Sequence, residues 1–213
     1  MKSAHLDCYC EFVEASIHQI LFTRGVYSSE LFDRTRLYNL AVHRARHPRL
    51  CGYIRECITT LKEGIASHDI TQVAVVIQHK GNVVERWVFE ISDANIDGLG
   101  GDGDDDHSDI KKLLDNFRTL ILRLQHADHG LQALPEDCTF EIVAYARTLH
   151  EEGSFSHPQW LSDGDLGLSR EHESRAAELA QNRAYTLVPV RGFKQETISC
   201  QVYGETSLVT PSL

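Results

Sequence analysis

Between Leu6 and Arg24, apolar residues recur every three or four positions, at Leu6, Tyr9, Cys10, Val13, Ile17, Ile20 and Leu21. That spacing puts them on one face of a helix and predicts a first amphipathic element. A loop carrying Tyr27, Phe32 and Tyr38 follows. His47-Pro48 then opens a second helix, because proline lacks only an N–H that the first helical position leaves unbonded anyway. Its predicted stripe is Leu50, Tyr53, Ile54, Cys57, Ile58, Leu61 and Ile65.

The period then changes from 3.6 to 2. Thr71 to His79 and Val83 to Ile91 are rich in β-branched and aromatic residues, and Lys80-Gly81-Asn82 between them supplies the positive-φ residues of a tight hairpin. In the second strand Trp87, Phe89 and Ile91 share one parity and Arg86 and Glu90 the other, which predicts a sheet covered on one face. Asp93 to Asp109 follows, a glycine- and aspartate-rich run whose like charges repel and whose side chains bury little; residues 93–108 are expected to form a disordered acidic loop.

A third helix is expected from about Ser108-Asp109, with Ile110, Leu113, Leu114, Phe117, Leu120, Ile121 and Leu124 as its core stripe. Cys138 to Arg147 alternates as a strand, residues 149–183 are weakly patterned, and Ala184 to Arg191 and Thr197 to Tyr203 form a last hairpin around Gly192-Phe193-Lys194. Helices and strands do not alternate strictly. The order predicts an α+β fold in which an antiparallel sheet carries three helices on one face, and excludes a doubly wound nucleotide fold.

Composition narrows the function. The chain has 213 residues, 42% hydrophobic and 24% charged, the makeup of a globular protein. Its formal charge of -10 opposes direct capture of a phosphate backbone, so a nucleic-acid role would run through a partner. Six scattered cysteines without a secretory signal read as reduced thiols of the cytosol or nucleus. No apolar run approaches the roughly 20 residues of a bilayer span, so no membrane partner is expected.

Candidate chemistry is sparse. Cys8 and Cys10 with His5 could begin a zinc shell, but no second pair of ligands closes it, and buried thiols are the competing reading. Asp102 to Asp106 lacks the spaced oxygens and terminal glutamate of a calcium loop. His126 and His129 suit either a ligand pair or the negative end of a helix. No phosphate-binding glycine loop, nucleophile elbow or H-E-x-x-H pair occurs, so neither catalysis, cofactor nor metal is expected.

Specific strings add a resemblance. Cys10-Glu11-Phe12-Val13-Glu14-Ala15-Ser16-Ile17-His18-Gln19-Ile20-Leu21, then Val26-Tyr27, Leu31-Phe32, Tyr38-Asn39, His47-Pro48, Tyr53-Ile54, Val88-Phe89-Glu90-Ile91 and Cys138-Thr139-Phe140 resemble, in order, the HORMA-domain accessory subunits of translesion DNA polymerase zeta, a mitotic-arrest-deficient-like family. The resemblance thins over residues 149–183, where only Pro158 and Trp160 match. It is weaker again in the last hairpin, at Val188-Pro189-Val190 and Gln201-Val202-Tyr203.

The resemblance implies a single HORMA domain over residues 1–213, with a core of 1–148 and a mobile safety-belt segment of 149–213. It implies a non-catalytic nuclear adaptor in which the belt holds a peptide of the polymerase zeta catalytic subunit beside the sheet by β-augmentation. Tyr53 and Trp160 match the family's peptide contacts, and the competing reading makes Tyr53 core. Val190, Gln201 and Tyr203 match its contacts to the C-terminal domain of the Y-family scaffold polymerase. Arg118 matches its position of self-association into a homodimer or heterodimer, an ordinary solvated arginine being the alternative. Two other functions stay open: a mitotic or spindle-checkpoint regulator binding a ubiquitin-ligase activator, and a hydrolase using His and Asp.

Overall fold

The structure is a computed structural model that describes residues 3–92, 106–146, 185–195 and 198–207. The expectations for the acidic run up to residue 105, for residues 149–183 and for Trp160 lie outside the described residues.

Helix α1 (Ser3–Thr23) is the centre of the core and packs against α2 (Pro48–Ala66), α3 (Asp106–Leu124) and a small hairpin. The predicted stripe is buried apart from Cys10, which is intermediate, and Phe12 is fully buried beside it. The Phe12 ring stacks on Phe117 of α3 at 4.4 Å and meets Phe89 of the sheet edge-to-face at 6.0 Å, so one side chain joins three elements.

The segment expected to be a loop contains a hairpin, β1 (Phe32–Leu37) and β2 (Leu40–Ala45). Its two-residue turn places Tyr38 and Asn39 at φ 47° and 58°, the left-handed pair that a tight hairpin requires. The outer edge of β2 is closed by α1: the His43 N–H donates to Gln19 Oε1 at 3.1 Å and the Ala45 N–H to His18 Nδ1 at 3.4 Å. Two polar residues are therefore buried in α1 because the backbone of β2 needs acceptors there.

The main sheet has the order β5-β3-β4-β7-β6 and is antiparallel throughout, with β3 (Ile70–His79), β4 (Asn82–Ser92), β5 (Thr139–Ala146), β6 (Tyr185–Lys194) and β7 (Ser199–Ser207). As the parity predicts, Trp87, Phe89 and Ile91 join the core beneath the helices. The opposite face carries a smaller cluster of Ala74, Val76 and Val88, flanked by Val83, Val143 and Tyr203.

Two boundaries differ from expectation. Helix α3 begins at Asp106, so the last residues assigned to the acidic loop are helical. Strand β6 continues through Gly192, Phe193 and Lys194, and the turn falls after it; Phe193 packs edge-to-face on Phe117 at 5.7 Å, and that burial keeps the segment in the sheet. The hairpin is fastened at its turn by Gln195, whose side-chain amide donates to the Asp109 carbonyl at 2.7 Å and to its carboxylate. Asp109 in turn accepts from His5 Nε2 at 2.9 Å if that nitrogen carries the proton.

A buried ion pair closes the other end of the helical layer. The Arg24 guanidinium donates to Glu85 of β4 at 2.9 Å from Nε and 2.5 Å from Nη2, and to the Gln132 carbonyl at 2.7 Å. The Trp87 indole N–H donates to the same carboxylate at 3.2 Å.

Candidate functional site

Tyr53 leaves the stripe predicted for α2. It is 41% exposed and lies over the edge strand β5, edge-to-face with Phe140 at 5.8 Å, while the Ile142 N–H donates to its hydroxyl at 3.4 Å. The reading of Tyr53 as core is thereby corrected: the helix turns this ring to the sheet edge and not into the layer between. Tyr27 also meets Phe140 edge-to-face, at 6.1 Å, so three aromatic rings gather at the start of the edge. Partial burial, with the Cys57 thiol beside it, pushes the Tyr53 phenol up to about 12 and keeps it a neutral hydroxyl.

Among the described residues β5 pairs with β3 alone. Because alternate residues of an antiparallel strand bond to opposite sides, the Ile142 amide faces outward, away from β3. An extended segment laid there would find backbone donors and acceptors of the right period.

The second predicted surface is only partly assembled. Gln201 and Tyr203 both project from the outer face of β7, opposite Glu90 and Val88 of β4. The Tyr203 hydroxyl donates to Glu90 Oε1 at 3.0 Å, and burial together with that carboxylate pushes the phenol up to about 12. Val190 does not join them. A register shift between Pro189 and Arg191 turns its side chain inward, where it is buried in the core, and its carbonyl accepts from Arg123 of α3 at 3.5 Å. The apolar neighbours that share the outer face are Pro189, paired with Tyr203, and Leu187, paired with Glu205 and 60% exposed. Leu187 was legible only as a strand residue, since its face depends on the register.

Arg118 is exposed on α3, and Leu122 one turn further on is also exposed, so charge and apolar area stand together on that helix. The thiols of Cys8 and Cys10 are partly buried, and His5 is held at Asp109. The rings of His126 and His129 stand tilted to each other, 5.4 Å apart, beyond the helix end. No group of three metal-capable side chains occurs among the described residues.

The arrangement of a three-helix layer, an antiparallel sheet and a C-terminal hairpin added at β4 has counterparts in known proteins. Residues 6–152 match the model of the HORMA domain family. The chain belongs to the HORMA domain family. It is 30% identical over 200 residues to the mitotic spindle assembly checkpoint protein MAD2B of Danio rerio, covering 93% of this chain and 89% of that one. It is 29% identical to the DNA polymerase zeta processivity subunit of Arabidopsis thaliana, over 92% of this chain and 82% of that one. A crystal structure of the mitotic checkpoint complex contains a chain of the same fold, with a TM-score of 0.69, 23% identity and coverage of 94% and 97%. In HORMA terms the described part of the expected belt, β6 and β7, sits against β4, and the opposite edge of the sheet is left to β5.

Proposed function

We propose that this HORMA protein is a non-catalytic adaptor of DNA polymerase zeta in translesion synthesis and DNA damage tolerance, acting in the nucleus. The observation that carries the reading is Tyr53 at the β5 edge, where its ring meets Phe140 and its hydroxyl accepts from the Ile142 N–H. A peptide of the catalytic subunit adds as a further strand, its carbonyl taking the Ile142 N–H from the Tyr53 hydroxyl and its side chains packing on Tyr53 and Phe140. The segment from 149 to 213 closes over it, with Trp160 as a second aromatic contact, and slows its release. The name of the Arabidopsis thaliana relative, at 29% identity, supports the assignment to polymerase zeta and leaves the partner's sequence to experiment.

The outer face of β7 and β6 docks the C-terminal domain of the Y-family scaffold polymerase through Tyr203, Gln201 and Leu187, an aromatic ring and an exposed leucine with hydrogen-bonding groups at their side. Two strands, β3 and β4, separate this face from the peptide edge, a span of roughly 14 Å at sheet spacing. Arg118 and Leu122 form the surface for association with a second HORMA domain. Arg118→Ala is expected to return any dimer to monomer in sedimentation without loss of peptide capture.

Calorimetric titration of the scaffold domain, with and without the catalytic-subunit peptide, tests the adaptor directly. Binding that is tighter with the peptide present, and lost in Leu187→Asp and Tyr203→Ala, is the expected result. Absence of binding in both states overturns the bridging role. A second reading, a mitotic regulator that binds a ubiquitin-ligase activator, is favoured by the checkpoint name of the MAD2B relative. Recovery of such an activator and no polymerase chain from a nuclear extract would select it.

A further inference from the structure

A cleft of about 390 Å³ opens between α1, the β1–β2 hairpin and α2, and none of the residues assigned above lines it. Its α1 side carries Glu11, Glu14 and His18; Arg36 and Arg44 stand on the hairpin and Arg55 on α2. The volume lies within the ~300–1,000 Å³ typical of ligand sites.

The charge around it is opposite to that of the molecule. Six arginines (Arg34, Arg36, Arg44, Arg46, Arg49 and Arg55) and one carboxylate, Asp33, lie between Phe32 and Arg55, in a chain whose formal charge is -10. All six arginines are exposed. Arg44 reaches Glu14 at 3.3 Å, whereas among the described residues Arg36 and Arg55 have no carboxylate at ion-pair distance. The histidine beneath them is 1% exposed, and its Nε2 is buried with no hydrogen-bond partner. Burial, and then the nearby Arg44 and Arg55, push the His18 imidazole down to about 4, so it adds no positive charge of its own. Arg36 of the hairpin and Arg55 of α2 therefore line one cleft, and among the described residues neither is held by a carboxylate, whereas the third arginine, Arg44, is paired with Glu14.

We propose that this cleft binds an acidic side chain of an extended peptide from a partner protein, with the carboxylate held between Arg36 and Arg55. A guanidinium fork matches a carboxylate, and a charge-assisted bond there is stronger than a neutral one. Glu11 and Glu14 decide the class of ligand. A peptide offers backbone N–H groups to them, whereas a phosphate backbone has no donor to give them and adds only repulsion.

The probe is a fluorescein-labelled peptide of alternating alanine and glutamate, compared with its glutamine counterpart and with an oligothymidylate of equal charge. Fluorescence anisotropy is expected to show binding of the glutamate peptide alone, weakened at least about ten-fold in the Arg36→Gln/Arg55→Gln double variant and by no more than about two-fold in Arg46→Gln/Arg49→Gln. On the unaltered protein, amide resonances of Thr35 and Val42, which also line the cleft, are expected to shift on titration, a reading that needs no variant to fold. No binding at millimolar peptide overturns the proposal. So does equal loss in the two double variants, which marks diffuse attraction, and so does tighter binding of the oligothymidylate, which makes the surface a nucleic-acid contact.

Discussion

A β-carbon on Gly204 of β7 would lie 3.0 Å from two carbons of the Trp87 indole on β4. The strand can join the sheet there only because residue 204 has no side chain, and the indole cannot easily yield, since its N–H is held by Glu85 and that carboxylate by Arg24.

Gly204→Ala is therefore expected to lower stability by about 1–3 kcal/mol through overpacking. It should also weaken scaffold-domain binding, because Tyr203 is the adjacent residue. Thermal melting and calorimetry measure the two effects, and an unchanged melting midpoint would mean that the strand or the ring shifts freely.

Arg24 and Glu85 are each under 10% exposed, so removing one leaves a buried charge alone. Arg24→Ala is expected to cost about 3–5 kcal/mol in denaturant unfolding, whereas the apolar pair Arg24→Met/Glu85→Leu should recover most of it. Equal loss in both variants would assign the effect to the Gln132 and Trp87 contacts.

Tyr53→Ala should abolish capture of the catalytic-subunit peptide while leaving the circular dichroism spectrum intact, since the ring lies at the edge and outside the core. Tyr53→Phe keeps the wall against Phe140 and frees the Ile142 N–H, so it should retain capture within a few-fold. Loss of fold in Tyr53→Ala would restore this residue to a structural role.

Acid should destabilise the protein through His18. Its folded-state value of about 4 lies below the ordinary 6.5 because of burial, so the unfolded chain takes up a proton first as pH falls. Stability from this group is complete above about 6.5 and is lost progressively down to about 4, on the order of 3 kcal/mol in all. Urea unfolding between pH 7 and pH 4 should show that slope, reduced in His18→Gln; an identical slope in the variant would place the proton uptake elsewhere.

Much of this fold could be read from periodicity. The stripes of α1, α2 and α3 and the Lys80–Gly81 hairpin emerge where each element buries one face and exposes the other. The β1–β2 hairpin escaped because its left-handed turn uses Tyr38 and Asn39, with no glycine to announce it. His18 and Gln19 are not part of the apolar stripe of α1, yet they are buried because α1 is enclosed by two helices and a hairpin whose amides donate to them. In the candidate site, Gln201 and Tyr203, two apart in β7, share the outer face as strand alternation requires, whereas Val190, named only by the resemblance, lies in the core beside the register shift of β6. Tyr53 matched the helical stripe in spacing, and only the position of β5 shows which way its ring turns.

The ladder between β4 and β7 pairs Glu85 with Thr206, partners more than a hundred residues apart along the chain. The β1–β2 and β3–β4 hairpins close over turns of two residues, at almost no loop entropy, whereas this ladder must bring together the ends of a very long loop before any of its bonds form. The order of assembly follows: local hairpins and helices first, the central pairing of the sheet last. A newly made molecule thus passes through a stage in which β4, a strand of the finished interior, has a bare row of amides and carbonyls along one side. That stage is the one most exposed to aggregation, and a chaperone acting on this protein would have β4 to protect.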